Sequence, residues 1–288
     1  MEASELIRRV RRVELRARGL SSQIFSGEYH SAFKGRGMAF SENRAYQHGD
    51  EIRTIDWNVT ARMRSPYVKV FEEERELTAM LLIDVSASGK LGSREKSKRE
   101  LAAELAAVLA FSAGQNNDKI GAILFSDRIE RFIPPKKGRS HILRIVREII
   151  DLEPEGTGTD ITSALEHFGR VMKKRTIAFL ISDLQDTGFG DILKRTSRRH
   201  DLVALQLVDD LELKAAKFGW LAATDPESGR AGFIDTSSMR WRKRYTAAAQ
   251  QFQTDLVGMM KRSGVDHAVL NTAKPYVQPL MQLFDRRG

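Results

Sequence analysis

Three short stretches of this chain carry oxygen-bearing side chains in a pattern that could hold a metal ion. Asp84-Val85-Ser86-Ala87-Ser88 sets one carboxylate and two hydroxyls at alternate positions just after the continuous apolar run Leu77 to Ile83. Glu155-Gly156-Thr157-Gly158-Thr159-Asp160 places Thr159 in a loop before an apolar helical stripe, and Ser182-Asp183 ends a second apolar run, Thr176 to Ile181. Hard oxygen donors without His or Cys suit a small hard cation, magnesium first and manganese as the alternative. Two carboxylates and three neutral hydroxyls leave open positions in an octahedral shell, so such an ion should seek an oxygen anion from outside, and a carboxylate of a partner protein fits. The expected metal site is therefore Asp84, Ser86, Ser88, Thr159 and Asp183. A plainer role competes at several of these residues: Ser86 and Ser88 can cap the segment that follows them, and Thr159 or Asp160 is a good N-cap for the helix starting at Ile161.

The elements around these residues decide whether they meet. Leu77 to Ile83, Ile120 to Phe125, Thr176 to Ile181, Leu202 to Val208 and Val265 to Leu270 read as strands, most of them apolar enough to be buried on both faces. Between them Ser97 to Phe111, His141 to Ile150, Ile161 to Met172, Ile192 to Arg199 and Ser238 to about Lys261 read as helices. That alternation predicts an α/β fold with a doubly wound, mostly parallel sheet. Ile129 to Ile133 should be an edge strand ending at Pro134 and Pro135, which have no N–H to give a ladder. Phe218 to Ala223 and Ala231 to Asp235, flanking Pro226 and Gly229, read as a hairpin inserted at about 218–235. A short helix after Pro275 closes the chain. In open parallel sheets ligands sit at the carboxyl ends of strands near a switch in strand order, where the three stretches should lie.

Ahead of this domain, Glu5 to Arg18 has Leu6, Ile7, Val10 and Val13 at helical spacing among arginines, the pattern of a basic helix packed on its own domain. Ser26 to Asp50 loses that periodicity, and Tyr67 to Phe71 alternates as a strand. The expected division is an N-terminal module, 1–76, and an α/β domain, 77–288.

The 288 residues hold no cysteine, which excludes disulfides, a thiolate nucleophile and Cys-based metal or iron–sulfur sites. No apolar run approaches the roughly 18 residues of a membrane helix, and no secretory leader pattern opens the sequence; a cytoplasmic protein is expected. The formal charge of +9 is spread over short groups such as Arg8 to Arg12, Lys194 to Arg199 and Arg240 to Arg244, which favours solvated helix faces over a dedicated nucleic-acid surface. The six histidines are scattered. Phosphate-loop, dinucleotide and Gly-x-Ser-x-Gly patterns do not occur.

Asp84-x-Ser86-x-Ser88, Thr159 within Gly158-Thr159-Asp160-Ile161, and Asp183 resemble the metal-ion-dependent adhesion site of von Willebrand factor A domains. The resemblance implies that Ser86, Ser88 and Thr159 bind the metal directly or through water, while Asp84 and Asp183 hold metal-bound waters. Gly35-Arg36-Gly37-Met38-Ala39-Phe40-Ser41-Glu42-Asn43-Arg44-Ala45-Tyr46, Gly49-Asp50, Arg53, Ile55-Asp56-Trp57, Thr60-Ala61-Arg62, Val68-Lys69, Glu74-Arg75-Glu76-Leu77 and Asp225-Pro226-Glu227-Ser228-Gly229 resemble the DUF58 family. That likeness implies a non-enzymatic adaptor working with a MoxR-type AAA+ ATPase in assembly or maturation of a protein complex. Two alternatives stand beside it. One is a metal-dependent hydrolase of phosphate esters, with Asp160 or Asp186 as general base; the other is nucleic-acid binding through the basic helices. Asp50, Arg53, Asp56, Trp57 and Arg62 are expected to form a structural cluster of ion pairs and aromatic contacts.

Overall fold

The computed structural model describes residues 10–11, 13–17, 19–20, 39–72, 77–90, 96–224 and 231–287. Leu6, Ile7, the segment 21–38, Glu74 to Glu76 and the hairpin turn at 225–230 lie outside them. The chain forms two compact units, Lys34–Leu77 and the remainder.

In the smaller unit β1 (Ala39–Ala45) pairs antiparallel with β2 (Tyr67–Glu72). This strand lies in the stretch that the sequence marks only as non-helical, because a Gly-flanked strand of mixed polarity lacks a clean alternation. Between the strands, α1 (Trp57–Met63) is capped by Asp56, whose side chain accepts from the amides of Asn58 and Val59. Asp50 pairs with Arg44 at 2.7 Å, and Asp56 lies 3.6 Å from Lys69. The expected cluster is thus corrected: its two aspartates make separate contacts, and Trp57 is exposed.

The larger unit is built on a six-stranded sheet in the order β10-β7-β6-β3-β4-β5. Its strands are β3 (Thr78–Asp84), β4 (Lys119–Phe125), β5 (Ile129–Lys136), β6 (Ile177–Ser182), β7 (Asp201–Val208) and β10 (Asp266–Asn271). All neighbours run parallel except β4 and β5. β6 is buried throughout and β3 at every position after Thr78, as expected for strands covered on both faces. The sheet is flanked by α2 (Lys98–Gln115), α3 (Arg139–Asp151), α4 (Ile161–Val171), α5 (Gly190–Arg199), α7 (Met239–Ser263) and α8 (Val277–Asp285). A single turn, α6 (Asp210–Leu213), follows β7 and leads to the hairpin of β8 (Trp220–Thr224) and β9 (Ala231–Asp235).

Local chemistry explains the helix starts. Ser97 accepts from the Glu100 amide while Glu100 accepts from the Ser97 amide, a reciprocal pair that fixes the first turn of α2. Asp160 caps α4 through the Ser163 amide. At the sheet edge, β5 runs on through Pro134 and Pro135 rather than stopping before them, because among the described residues its outer side has no partner strand that needs their missing N–H groups. The register shifts next to them, between Ile120 and Ala122.

The described positions between 10 and 20 are helical and group with the larger unit, not with the segment 34–77. Ala17 is buried, Arg16 bonds Glu104 of α2 at 2.7 Å, and Arg139 of α3 bonds Glu14 at 2.6 Å. The helix thus packs on the α/β unit and not on the N-terminal module, 1–76, in which the expected division placed it; the compact smaller unit begins only at Lys34. Among the described residues, no helix is long and apolar enough to cross a membrane.

Candidate metal centre

The chain leaves β3 for β4 on one side and returns to β6 on the other, so β3 and β6 flank the switch in strand order. Their last paired residues are Ile83 and Ile181. One step further, Asp84 faces Ser182, whose hydroxyl donates to Oδ2 of Asp84 at 2.7 Å. Oδ1 of Asp84 accepts from the Ser86 amide at 2.9 Å, turning the chain sharply after the strand. The turn brings Ser86 Oγ within 3.0 Å of Ser88 Oγ. Thr159 Oγ1 lies 3.4 Å from Oδ2 of Asp84, a long and weak contact that still puts its hydroxyl at the same rim.

The loop that delivers Thr159 is pinned by acidic side chains the sequence reading passed over. Glu130 of β5 accepts from the amides of Glu155 and Gly156 at 3.2 and 2.8 Å. Asp127 accepts from the Thr157 amide, and the Asp160 amide donates to the carbonyl of Ser126 at 2.8 Å. A Cβ at Gly156 would lie 2.2 Å from both Ser126 Oγ and an oxygen of Asp127, so only glycine permits this approach. Asp186 accepts from Ile161 at 2.8 Å and from Thr187 at 2.6 Å.

Asp183 is placed beside these residues but held differently. Its Oδ1 accepts from the Gln185 amide at 3.1 Å, and its Oδ2 accepts from the ammonium of Lys98 at 2.7 Å. Lys98, the second residue of the Ser97-led first turn of α2, is 2% exposed and also donates to Glu212 Oε1 of α6 at 2.5 Å. Glu212 in turn accepts from the Asp209 amide at 2.9 Å. Burial alone would lower the pKa of Lys98; the charges of Asp183 and Glu212 outweigh it and hold the ammonium protonated. Sequence reasoning missed Lys98 because a lysine in the first turn of a helix is ordinarily solvated. The one available signal is its neighbourhood in sequence, between the capping Ser97 and an almost unbroken Ala/Leu run.

Burial, and next to it the charge of Asp183, raise the pKa of Asp84, while the Ser86 and Ser182 bonds work in the opposite direction. Two buried like charges, three hydroxyls and no soft ligand fit a small divalent cation. Among the described residues no group of three or more His, Cys, Asp or Glu is poised around one ion, so a cation here leans on hydroxyls. Ser86, Ser88 and Thr159 would hold it, with Asp84 and Asp183 supplying the compensating charge. Beside the rim, between β7 and α7, lies a cleft of about 520 Å3 that Asp183, Glu212, Tyr245, Ala248 and Phe252 help to line.

Comparison with known proteins agrees with this architecture. Proteins of Mycobacterium tuberculosis and Mycobacterium bovis, both described as uncharacterized, are each 27% identical over 283 residues, covering 96% of this chain and 88% of theirs. An aerotolerance-related membrane protein from Bacteroides fragilis superposes with a TM-score of 0.50 at 16% identity, covering 73% of this chain and 99% of that one. The SpRpn10 VWA domain covers 74% of this chain and 95% of its own, with a TM-score of 0.39 and 11% identity. At 16% identity the likeness to the Bacteroides fragilis protein concerns the fold alone. The family model described as protein of unknown function DUF58 matches residues 42–255. This chain belongs to the DUF58 family, and its larger unit is an α/β domain on a mostly parallel six-stranded sheet.

Proposed function

We propose that the chain is a non-enzymatic adaptor that uses a divalent cation, magnesium or alternatively manganese, to dock a carboxylate of a partner protein. A MoxR-type AAA+ ATPase or its client is the partner in this reading, and the cytoplasm is the setting. One arrangement supports it above all: the carboxylates of Asp84 and Asp183 are already engaged by protein donors, while Ser86, Ser88 and Thr159 bring neutral hydroxyls to the same strand ends. A cation seated on neutral oxygens keeps its appetite for an anionic ligand, which a partner's Asp or Glu can satisfy. The formal charge of +9 likewise suits an acidic partner.

The candidate general bases have other employment, which weighs against hydrolysis. Asp160 caps α4, and Asp186 accepts from two backbone amides.

The test is capture of partners by the full chain in magnesium, compared with chelator and with Ser86→Ala in magnesium. Partners that depend on the docked carboxylate should be lost in both arms, an affinity change of at least about tenfold, or ~1.4 kcal/mol. Identical partners in all three arms would end this reading.

A further inference from the structure

Lys98 is among the largest fully buried side chains of the described residues, and its ammonium ends on two carboxylates. The Coulomb balance around the rim follows directly. Asp84, Asp183 and Glu212 carry three negative charges against the one positive charge of Lys98, and the sum is the charge that one divalent cation cancels. The lysine also decides how that charge is delivered. With Oδ2 on Lys98 and Oδ1 on the Gln185 amide, each oxygen of Asp183 already accepts one hydrogen bond, the first of them from a full positive charge. Asp84 is similarly held by the Ser86 amide and the Ser182 hydroxyl. A cation at the rim therefore meets hydroxyls first and a fixed positive charge behind Asp183.

Resting on the docking reading above, we propose that Lys98 is a positioning residue that keeps Asp183 away from direct ligation, so that the cation binds weakly until an external carboxylate completes its shell. Cation and partner then reinforce each other's binding, and the coupling is reciprocal by thermodynamic necessity. Glu212 sets the strength of the device, because it draws part of the ammonium's charge away from Asp183. Since Glu212 lies on the turn after β7, the segment leading to the hairpin is tied to the same ion pair.

Titration calorimetry of the full chain with manganese alone, and with manganese in saturating acetate as the surrogate carboxylate, tests this. In wild type, acetate should tighten manganese binding. Lys98→Met should bind manganese in the absence of acetate at least about tenfold tighter than wild type, and acetate should then add little. Because that variant leaves Asp183 and Glu212 without their cation and can fail to fold, Glu212→Gln serves as the second arm. It keeps the lysine, concentrates its charge on Asp183 and removes one negative charge, so manganese binding should weaken several-fold, the opposite direction; the tightening by acetate should also grow, whereas a lysine with only a structural role would leave that tightening at its wild-type size. Unchanged affinity or unchanged tightening by acetate in Glu212→Gln, or a folded Lys98→Met that binds no tighter than wild type, overturns the proposal while leaving the metal site standing. Absence of manganese binding in wild type itself, with and without acetate, sinks the docking reading and this one together.

Discussion

The hydroxyl of Ser182 donates to Oδ2 of Asp84 at 2.7 Å, a bond across the two central strands β6 and β3 at the point where both end. Both residues are buried, and the same hydroxyl accepts from the Leu184 amide at 3.0 Å. Ser182→Ala removes a donor to a buried carboxylate and an acceptor for a buried amide. A loss of about 1–3 kcal/mol in unfolding free energy is expected, measured by urea denaturation. Manganese affinity should fall as well, because Asp84 loses the bond that aims it.

Asp84 and Asp183 are like charges in a buried setting, and among the described residues a lysine pairs with Asp183 alone. Asp84→Asn keeps the shape and the acceptor for the Ser86 amide while removing one charge. Without metal it should be at least as stable as wild type. The rise in melting temperature that magnesium gives the wild type should vanish in the variant, since stabilisation by a ligand follows its affinity for the folded state. Thermal melts with and without magnesium check both halves.

Gly156 approaches the Ser126-Asp127 turn too closely for any side chain. Gly156→Ala must displace the Ser126 hydroxyl and the Asp127 carboxylate, and the carboxylate accepts from the Thr157 amide in the loop that carries Thr159. A destabilisation of about 1–3 kcal/mol is expected, together with weaker manganese binding. Gly158→Ala, whose added carbon would meet only ordinary contact at 3.8 Å from Asp127, is the control and should leave both nearly unchanged.

His200 packs on Phe168 with ring centroids 4.5 Å apart and is 1% exposed. Burial, aided by Arg199 and Arg175, pushes its pKa from 6.5 down to about 4. The unfolded chain therefore binds the proton more readily than the folded one. Stability from this group is complete above pH 6.5 and is lost as the pH falls towards 4. His200→Phe should flatten the fall in unfolding free energy across that window, a difference on the order of 2–3 kcal/mol at its acid end. Denaturant titrations at a series of pH values measure the slope; an equal slope in variant and wild type contradicts the assignment to His200.

Much of this was legible in the residues. Continuous apolar runs at β3, β4, β6 and β7 can be buried only in a covered parallel sheet, and the polar residues that end two of them, Asp84 and Ser182-Asp183, have to emerge at its carboxyl rim. Periodicity of 2 and 3.6 residues and the caps at Ser97 and Asp160 are local properties, so sequence alone determined those elements. The path of β5 through Pro134 and Pro135 was not local, because whether a proline's missing N–H matters depends on which side of the strand has a neighbour. Nor was the pairing of Lys98 with Asp183 and Glu212, 85 and 114 residues away. The Coulomb energy of a charge depends on what surrounds it in space, and only the folded chain decided that this lysine would be buried against two carboxylates instead of lying in water.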